Sequence, residues 1–160
     1  MYFNIVITLC NIIFWIALHF FIECMINKYN EFIDFNKDFY RVNEKEINFY
    51  NKIKIKKWKD KLPQFNIYFD KSHLKSKDIK YIDLFILNTK ISGLSHLLTG
   101  CFGYISLLFV YFVSNPMKYI KLFIIIAIVM FFAQIPFIII QRYNRFRLLK
   151  LRKKLAFRIK

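Results

Sequence analysis

Three apolar runs dominate the chain, and a long polar section separates the first run from the other two. Each run has at least 18 consecutive residues without a charged side chain, which is enough to cross a bilayer core as a helix. The second run ends at Ser114-Asn115-Pro116, a sequence typical of a tight turn, so the last two spans should form a hairpin. We therefore predict an all-α integral membrane protein with spans at about residues 4–26, 91–113 and 118–141.

The start of the chain differs from a secretory signal peptide, which begins with a positively charged region. Met1–Asn4 contains no Lys or Arg, so we expect a retained first helix with its N-terminus outside the cell. His19 lies near the end of this helix. An imidazole near a helix end is more often an interfacial group than a catalyst, and we interpret His19 in that way.

The polar section, residues 28–90, holds 15 Lys and Arg against nine Asp and Glu. Three phenylalanines near its start recur at helical spacing, which predicts a helix lying on the membrane surface: Phe32, Phe35 and Phe39. The most basic part, residues 52–61, contains Trp58 at a place that suits an interfacial aromatic ring, and its period fits a helix or a strand. Ser76 and Asp78 predict the start of a helix that continues into the second apolar run.

The tail, residues 142–160, has nine Lys and Arg and no acid. Its apolar residues Leu148, Leu151, Leu155 and Ile159 form a stripe that predicts an amphipathic surface helix. The positive-inside rule places this tail and the section 28–90 in the cytoplasm. We therefore expect one membrane domain, residues 1–160, that spans the cell membrane three times.

The net charge of +16 would by itself suggest nucleic-acid binding. Because the charges lie beside membrane-length apolar runs, membrane lipid explains them better, and we expect no nucleic-acid partner. The three cysteines form no CxxC pair, and no Cys/His spacing suggests a zinc site. We expect no metal and no cofactor, and the presence of only three glycines argues against a nucleotide-binding fold.

Candidate chemistry lies at the entry of the second span, where polar side chains recur on one helical face: Asn88, Ser92, Ser95, His96 and Thr99. Such groups usually face the interior of a helix bundle, because lipid cannot satisfy them. The titratable group of this stripe is His96, and an imidazole can take a proton from a sugar hydroxyl that attacks an acyl carbonyl. The alternative is a structural histidine hydrogen-bonded between helices.

A second candidate base is His73, which stands in an H-x-x-x-x-D spacing with Asp78 of the kind found in glycerolipid acyltransferases. Asp78 also has the simpler explanation of a helix start. Arg142 and Arg145 can hold a phosphate or carboxylate in bidentate fashion, although plain juxtamembrane charges would occupy the same positions. Between them, Asn144 offers a donor and an acceptor to a sugar or a carbonyl group.

Several segments resemble one family. Pro136, three isoleucines and Gln141-Arg142-Tyr143-Asn144-Arg145 resemble a signature of the glycosyl-4,4'-diaponeurosporenoate acyltransferases, small bacterial membrane proteins of staphyloxanthin-type carotenoid synthesis. Similar pieces are the Lys- and Trp-rich segment 56–63, His73-Leu74, the segment 86–90 and Leu94-Ser95-His96. The order and spacing hold from about Phe49 to Leu149.

The resemblance implies a membrane acyltransferase that esterifies the glucosyl primary hydroxyl of a carotenoid acid glycoside, or of a related glycolipid, with a fatty acyl group. Its partners would be membrane lipid, this acceptor, an acyl donor and other enzymes of carotenoid synthesis. Under this interpretation the catalytic candidates are His96 and His73. The substrate-binding candidates are Gln141, Arg142, Asn144, Arg145 and Trp58.

The chain departs from the family pattern near the candidate base. Family members usually carry Glu where this chain has Asn88 and Gly93, Trp where it has Leu97, and Pro where it has Phe146. The loss of two carboxylates leaves three alternatives open: altered chemistry, a different acceptor, or loss of activity. A second function therefore stays in view, that of a non-catalytic membrane scaffold whose basic face binds anionic lipid or a partner.

Overall fold

The computed structural model describes residues 2–63 and 74–158, and helices account for most of these residues. The α-helices are α1 (Tyr2–Lys28), α2 (Glu44–Lys52), α3 (Ile55–Trp58), α4 (Ile79–Phe102) and α5 (Pro116–Arg158). Stretches of 3₁₀ helix occupy Asn30–Phe32, Asp38–Tyr40, Lys59–Lys61 and Gly103–Phe112. No β-strand occurs in the described ranges, so the prediction of an all-α protein is confirmed.

Three helical stretches are long and apolar enough to cross a membrane: Asn4–Lys28, Ile79–Phe112 and Pro116–Phe157. Large apolar side chains are exposed along them, for example Ile13 on α1 and Val129 on α5, as expected of surfaces that meet lipid tails. Their number agrees with the prediction, and they mark the chain as a membrane protein. The helix α4 begins at Ile79, before the second apolar run, as Ser76 and Asp78 predicted, and α5 continues beyond the third run through the basic tail.

The predicted surface helix through Phe32, Phe35 and Phe39 is wrong, since two short 3₁₀ turns occupy this region instead. The carboxylate of Asp34 accepts a hydrogen bond from the backbone N–H of Asn36 at 2.9 Å. Short polar side chains compete in this way with the helical hydrogen-bond pattern, and here the local bond prevails over the 3.6-residue spacing. Of the three rings only Phe35 is buried.

The described residues form two compact units, and both α4 and α5 contribute to each. The first unit consists of Met1–Asn30 and Leu94–Phe137, and the second of Glu31–Gly93 and Ile138–Lys160.

The first unit is built around the buried ring of Trp15 on α1. A Cβ atom at Gly103 would lie 2.1 Å from this ring, so only glycine allows the approach. At Gly103 the chain changes to 3₁₀ geometry, and Ser106 in that stretch accepts two hydrogen bonds from α1. Trp15 Nε1 donates to Ser106 Oγ (3.0 Å), and Asn11 Nδ2 donates to Ser106 O (2.7 Å). These bonds satisfy polar groups that lipid could not.

The second unit packs α2, α3 and the start of α4 against the C-terminal half of α5. One cluster joins α2 and α3 to α5 through Ile47, Tyr50, Ile55, Ile140 and Tyr143. Another joins α4 to α5 through Ile82, Phe85, Ile86 and Leu148, with Leu151 and Leu155 at its edge. Leu148, Leu151 and Leu155 of the predicted stripe are therefore part of α5 and pack on protein, whereas the sequence had predicted a surface helix. Ile159, the last member of that stripe, lies outside the described residues.

Candidate functional site

The first unit contains a cluster of two histidines. The side chain of His96, on α4, is 9% exposed, and its ring stacks on His19 of α1 with 4.3 Å between ring centroids. It also stacks on Phe137 of α5 at 4.7 Å. His96 Nδ1 lies 2.8 Å from Gln134 Oε1, so three helices together fix the orientation of this imidazole.

The hydrogen-bond network assigns the tautomer of His96. Gln134 Nε2 donates to the backbone carbonyl of Met130 at 3.3 Å, which leaves Gln134 Oε1 facing the imidazole as an acceptor. An amide oxygen accepts only from a protonated ring nitrogen, so Nδ1 carries the proton in the neutral ring. The lone pair therefore lies on Nε2, which is the arrangement that a general base requires.

His19 is a member of this cluster that the sequence analysis did not predict, because we interpreted it as interfacial. His19 Nδ1 lies 3.2 Å from Thr99 Oγ1, and His19 Nε2 lies 3.6 Å from Glu23 Oε2. A signal was present in the sequence. His19 and Glu23 stand four residues apart on one helical face, and Glu23 is the one acid outside residues 28–90.

In the second unit, Arg142 joins α5 to the segment before α2. Its guanidinium contacts both carboxylate oxygens of Glu46 and donates to the backbone carbonyls of Phe39 (2.8 Å) and Arg41 (2.7 Å). Glu46 also accepts a hydrogen bond from the Tyr50 hydroxyl. Burial by itself would raise the pKa of Glu46, but the hydrogen bonds from Arg142 and Tyr50 outweigh it, so this pKa lies below its ordinary value.

Arg145 is 2% exposed, and its contacts join α5 to α4 and to Tyr40. It donates to the Tyr40 carbonyl (2.8 Å), the Thr89 carbonyl (3.1 Å) and the Thr89 hydroxyl (3.2 Å). One turn earlier on α5, Gln141 Nε2 donates to Ser92 Oγ at 3.1 Å. The sequence predicted bidentate contacts for these arginines, and within the described residues their recorded contacts are with the protein itself. Their contact with substrate stays a prediction.

The remaining candidates are placed as follows. Asn144 is 5% exposed on α5. Trp58 is half-buried against the cluster that joins α2 and α3 to α5, and its indole N–H donates to the Ile53 carbonyl at 3.0 Å. His73, the second candidate base, lies outside the described residues. Among the residues that the structure describes, no group of three or more His, Cys, Asp or Glu could hold a metal ion.

Comparison with known families agrees with the resemblance. The family described as glycosyl-4,4'-diaponeurosporenoate acyltransferase matches residues 29–154, which is most of the chain. The chain belongs to this family. Its name indicates acyl transfer, and the matched residues include His96, Gln134 and Arg145 but neither His19 nor Glu23. No curated protein and no solved structure matches the chain significantly.

Proposed function

We propose that this protein is a membrane acyltransferase that esterifies the glucosyl primary hydroxyl of a carotenoid acid glycoside, or of a related glycolipid, with a fatty acyl group. Family membership supports the class of reaction and the nature of the acceptor. The observation that carries the proposal for this chain is the contact between His96 Nδ1 and Gln134 Oε1. It leaves His96 Nε2 unprotonated in a ring that is held between two other rings.

The proposed reaction needs one proton acceptor and an activated acyl donor, either a thioester or an oxygen ester. The acceptor hydroxyl passes its proton to His96 Nε2 while its oxygen forms a bond to the acyl carbonyl carbon. The bond between that carbon and the donor's leaving group then breaks, and the leaving group takes the proton from the imidazolium. The Gln134 carbonyl faces the Nδ1–H throughout, so it both orients the ring and stabilises its positive charge.

Apart from Arg142, the substrate contacts that we propose are those predicted from the sequence. Gln141, Asn144 and Arg145 would bind the sugar or the acyl carbonyl, and Trp58 would contact the acceptor. Arg142 would contribute mainly by holding the segment between Phe39 and Glu46, since four of its contacts go there. We also propose that the section 28–90 and the tail face the cytoplasm, on the distribution of Lys and Arg.

The test of the base is His96→Gln, which keeps a polar side chain of similar size and removes the titratable nitrogen. A general base contributes on the order of 10²–10⁴ in rate, so we expect acyl transfer to fall at least 100-fold with protein level unchanged. Cells that make the glycosylated acceptor would be extracted, and acylated and unacylated products would be separated by mass. His73→Gln serves as the matched variant at the other candidate base.

The outcomes separate the alternatives. Full acylation by His96→Gln together with its loss in His73→Gln would transfer the catalytic role to His73. Loss of the His96→Gln protein from the membrane would favour a structural histidine. Failure of the unmutated chain to acylate a family acceptor would favour the scaffold function, with Asn88 and Gly93 as the departures that explain it.

A further inference from the structure

A groove of about 860 Å³ lies within the second unit, between α2 and the C-terminal half of α5. On α5 its lining residues are spaced as one helical face: Tyr143, Phe146, Arg147, Lys150, Leu151 and Lys154. On α2 they again form a single face: Glu44, Ile47, Asn48 and Asn51. Lys56 of α3 and Lys59 and Asp60 of the 3₁₀ helix that follows it complete the wall.

Positive charge prevails in this groove. Five Lys and Arg line it against two acids, and one of those acids is already paired, because Lys59 Nζ lies 2.5 Å from Asp60 Oδ1. Lys59 is 4% exposed, so its charge is largely shielded from solvent, whereas Asp60 is exposed. The other four cations, Lys56, Arg147, Lys150 and Lys154, are exposed, and none forms an ion pair within the described residues. Arg147 does lie over the ring of Tyr143, at 5.9 Å.

The groove is also amphipathic. Ile47, Tyr143, Phe146 and Leu151 supply apolar or aromatic surface, and Asn48 and Asn51 supply amide donors and acceptors. Its volume falls within the range of small-molecule and cofactor sites, which is roughly 300–1,000 Å³, and it is far larger than a single phosphate needs. Four exposed cations that form no ion pair in the described part of the chain, beside such a surface, suit a ligand that carries phosphate on a larger organic body.

We propose that this groove binds the phosphate groups of the acyl donor. Two sources of this chemistry are available to a membrane enzyme, a soluble acyl thioester of coenzyme A and the headgroup of an acidic phospholipid. The size of the groove and its amides favour the nucleotide-bearing thioester. The role of the ligand as acyl donor rests on the proposed acyl transfer, whereas phosphate binding by the groove does not.

The test measures binding without turnover. The full chain is placed in phosphatidylcholine nanodiscs, and coenzyme A is titrated by calorimetry, with inorganic phosphate and dephospho-coenzyme A as further probes. The groove variant is Arg147→Gln with Lys150→Gln and Lys154→Gln. We expect its Kd for coenzyme A to rise at least tenfold, and binding by the unmutated chain to weaken as salt is added.

A matched variant removes the same charge from the same unit but outside the groove: Lys45→Gln, Lys57→Gln and Lys153→Gln, three exposed residues that do not line it. We expect its Kd to change less than twofold. Equal weakening in both triple variants, or no binding of any phosphate probe, would overturn the proposal. If the chain binds phosphatidylglycerol through the groove residues but does not bind coenzyme A, phosphate binding by the groove is supported and the phosphate belongs to a lipid.

The same assay separates this proposal from the catalytic one. His96→Gln should bind coenzyme A with unchanged Kd, because no groove residue is altered. A chain that fails to acylate but binds coenzyme A through the groove would contradict the proposed reaction and leave the phosphate site standing. If the unmutated chain acylates but the groove variant binds coenzyme A with unchanged Kd, the proposed reaction is supported and the phosphate site is contradicted.

Discussion

Gly93 offers a direct test of how the family's missing carboxylate relates to the buried arginine. Family members usually carry Glu at this position, and here Gly93 is a buried residue of α4. A Cβ atom at residue 93 would lie 3.4 Å from Arg145 Nη2 and 3.6 Å from Gln141 Cβ, which are ordinary contact distances. A longer side chain can therefore start from this position without displacing the backbone, and it would start beside the guanidinium.

The expected magnitude follows from three effects. Replacing glycine inside a helix by a better helix former stabilises by roughly 0.5–1 kcal/mol. A hydrogen bond between charged groups contributes about 1.5–3 kcal/mol, and burial of the new carboxylate offsets part of it. We expect Gly93→Glu to raise the free energy of unfolding by about 1–3 kcal/mol. For a chain of this size that corresponds to a rise in Tm of roughly 3–10 °C.

Thermal unfolding in one detergent at pH 7, followed by circular dichroism, would measure this change. Gly93→Ala reports the helix effect alone, and Gly93→Gln adds a side chain of equal length without the charge. The excess of Gly93→Glu over Gly93→Gln then isolates the ion pair with Arg145. If Gly93→Gln stabilises as much as Gly93→Glu, or if Gly93→Glu lowers Tm, the carboxylate does not reach Arg145 and the reasoning fails.

Two further predictions concern acid stability and membrane orientation. The pKa of Glu46 is below its ordinary value of 4.5 in the folded chain, so its contribution to stability is complete above about pH 4.5 and is lost as pH falls through the folded value. Tm should fall on acidification below pH 4.5. Glu46→Gln should lower the free energy of unfolding by about 1–3 kcal/mol at pH 7 and make the fall of Tm with pH less steep. If Tm falls as steeply in Glu46→Gln as in the unmutated chain, the ion pair with Arg142 is not the source of the acid sensitivity. A topology reporter fused after Lys160 should score as cytoplasmic, because 24 of the 26 Lys and Arg lie in the section 28–90 and the tail. A periplasmic or extracellular signal would contradict the predicted orientation.

The large features of the fold could be predicted because they depend on composition over many residues. Eighteen or more positions without charge predict a span whatever the neighbouring helices do, and Ser76 and Asp78 indicated the helix that now begins at Ile79. The region around Phe35 was mispredicted because it contains local hydrogen bonds of short polar side chains, such as that from the Asn36 N–H to Asp34, which compete with a regular helix. Patterns of spacing average over such bonds and cannot reveal them.

The candidate site also has one part that could be predicted from the sequence and another that could not. His96 could be found from the sequence, because a polar stripe in an apolar helix is visible there. Its contacts with His19 and Gln134 could not, since they join residues 77 and 38 positions apart. The His19–Glu23 pair was visible as an i, i+4 spacing, and we undervalued it because a histidine near the end of a span also suits the membrane interface.

The contacts of the positively charged side chains bear on the role of each. From the sequence, Arg142 and Arg145 are candidate anion ligands, although plain juxtamembrane charges would occupy the same positions. In the structure these guanidiniums contact Glu46, Thr89 and backbone carbonyls. An arginine engaged in this way holds its segments in place, and replacing it would disturb folding before it changed affinity for an anion.

Three cations further along α5, at Arg147, Lys150 and Lys154, line the groove beside α2 and form no ion pair with the described residues. An exposed lysine or arginine with no neighbouring carboxylate can form its ion pair with a ligand instead. Affinity for a phosphate-bearing donor should therefore depend on these exposed residues, and stability on half-buried Arg142 and buried Arg145. The triple variants test the first half of this division, and Gly93→Glu with Glu46→Gln tests the second.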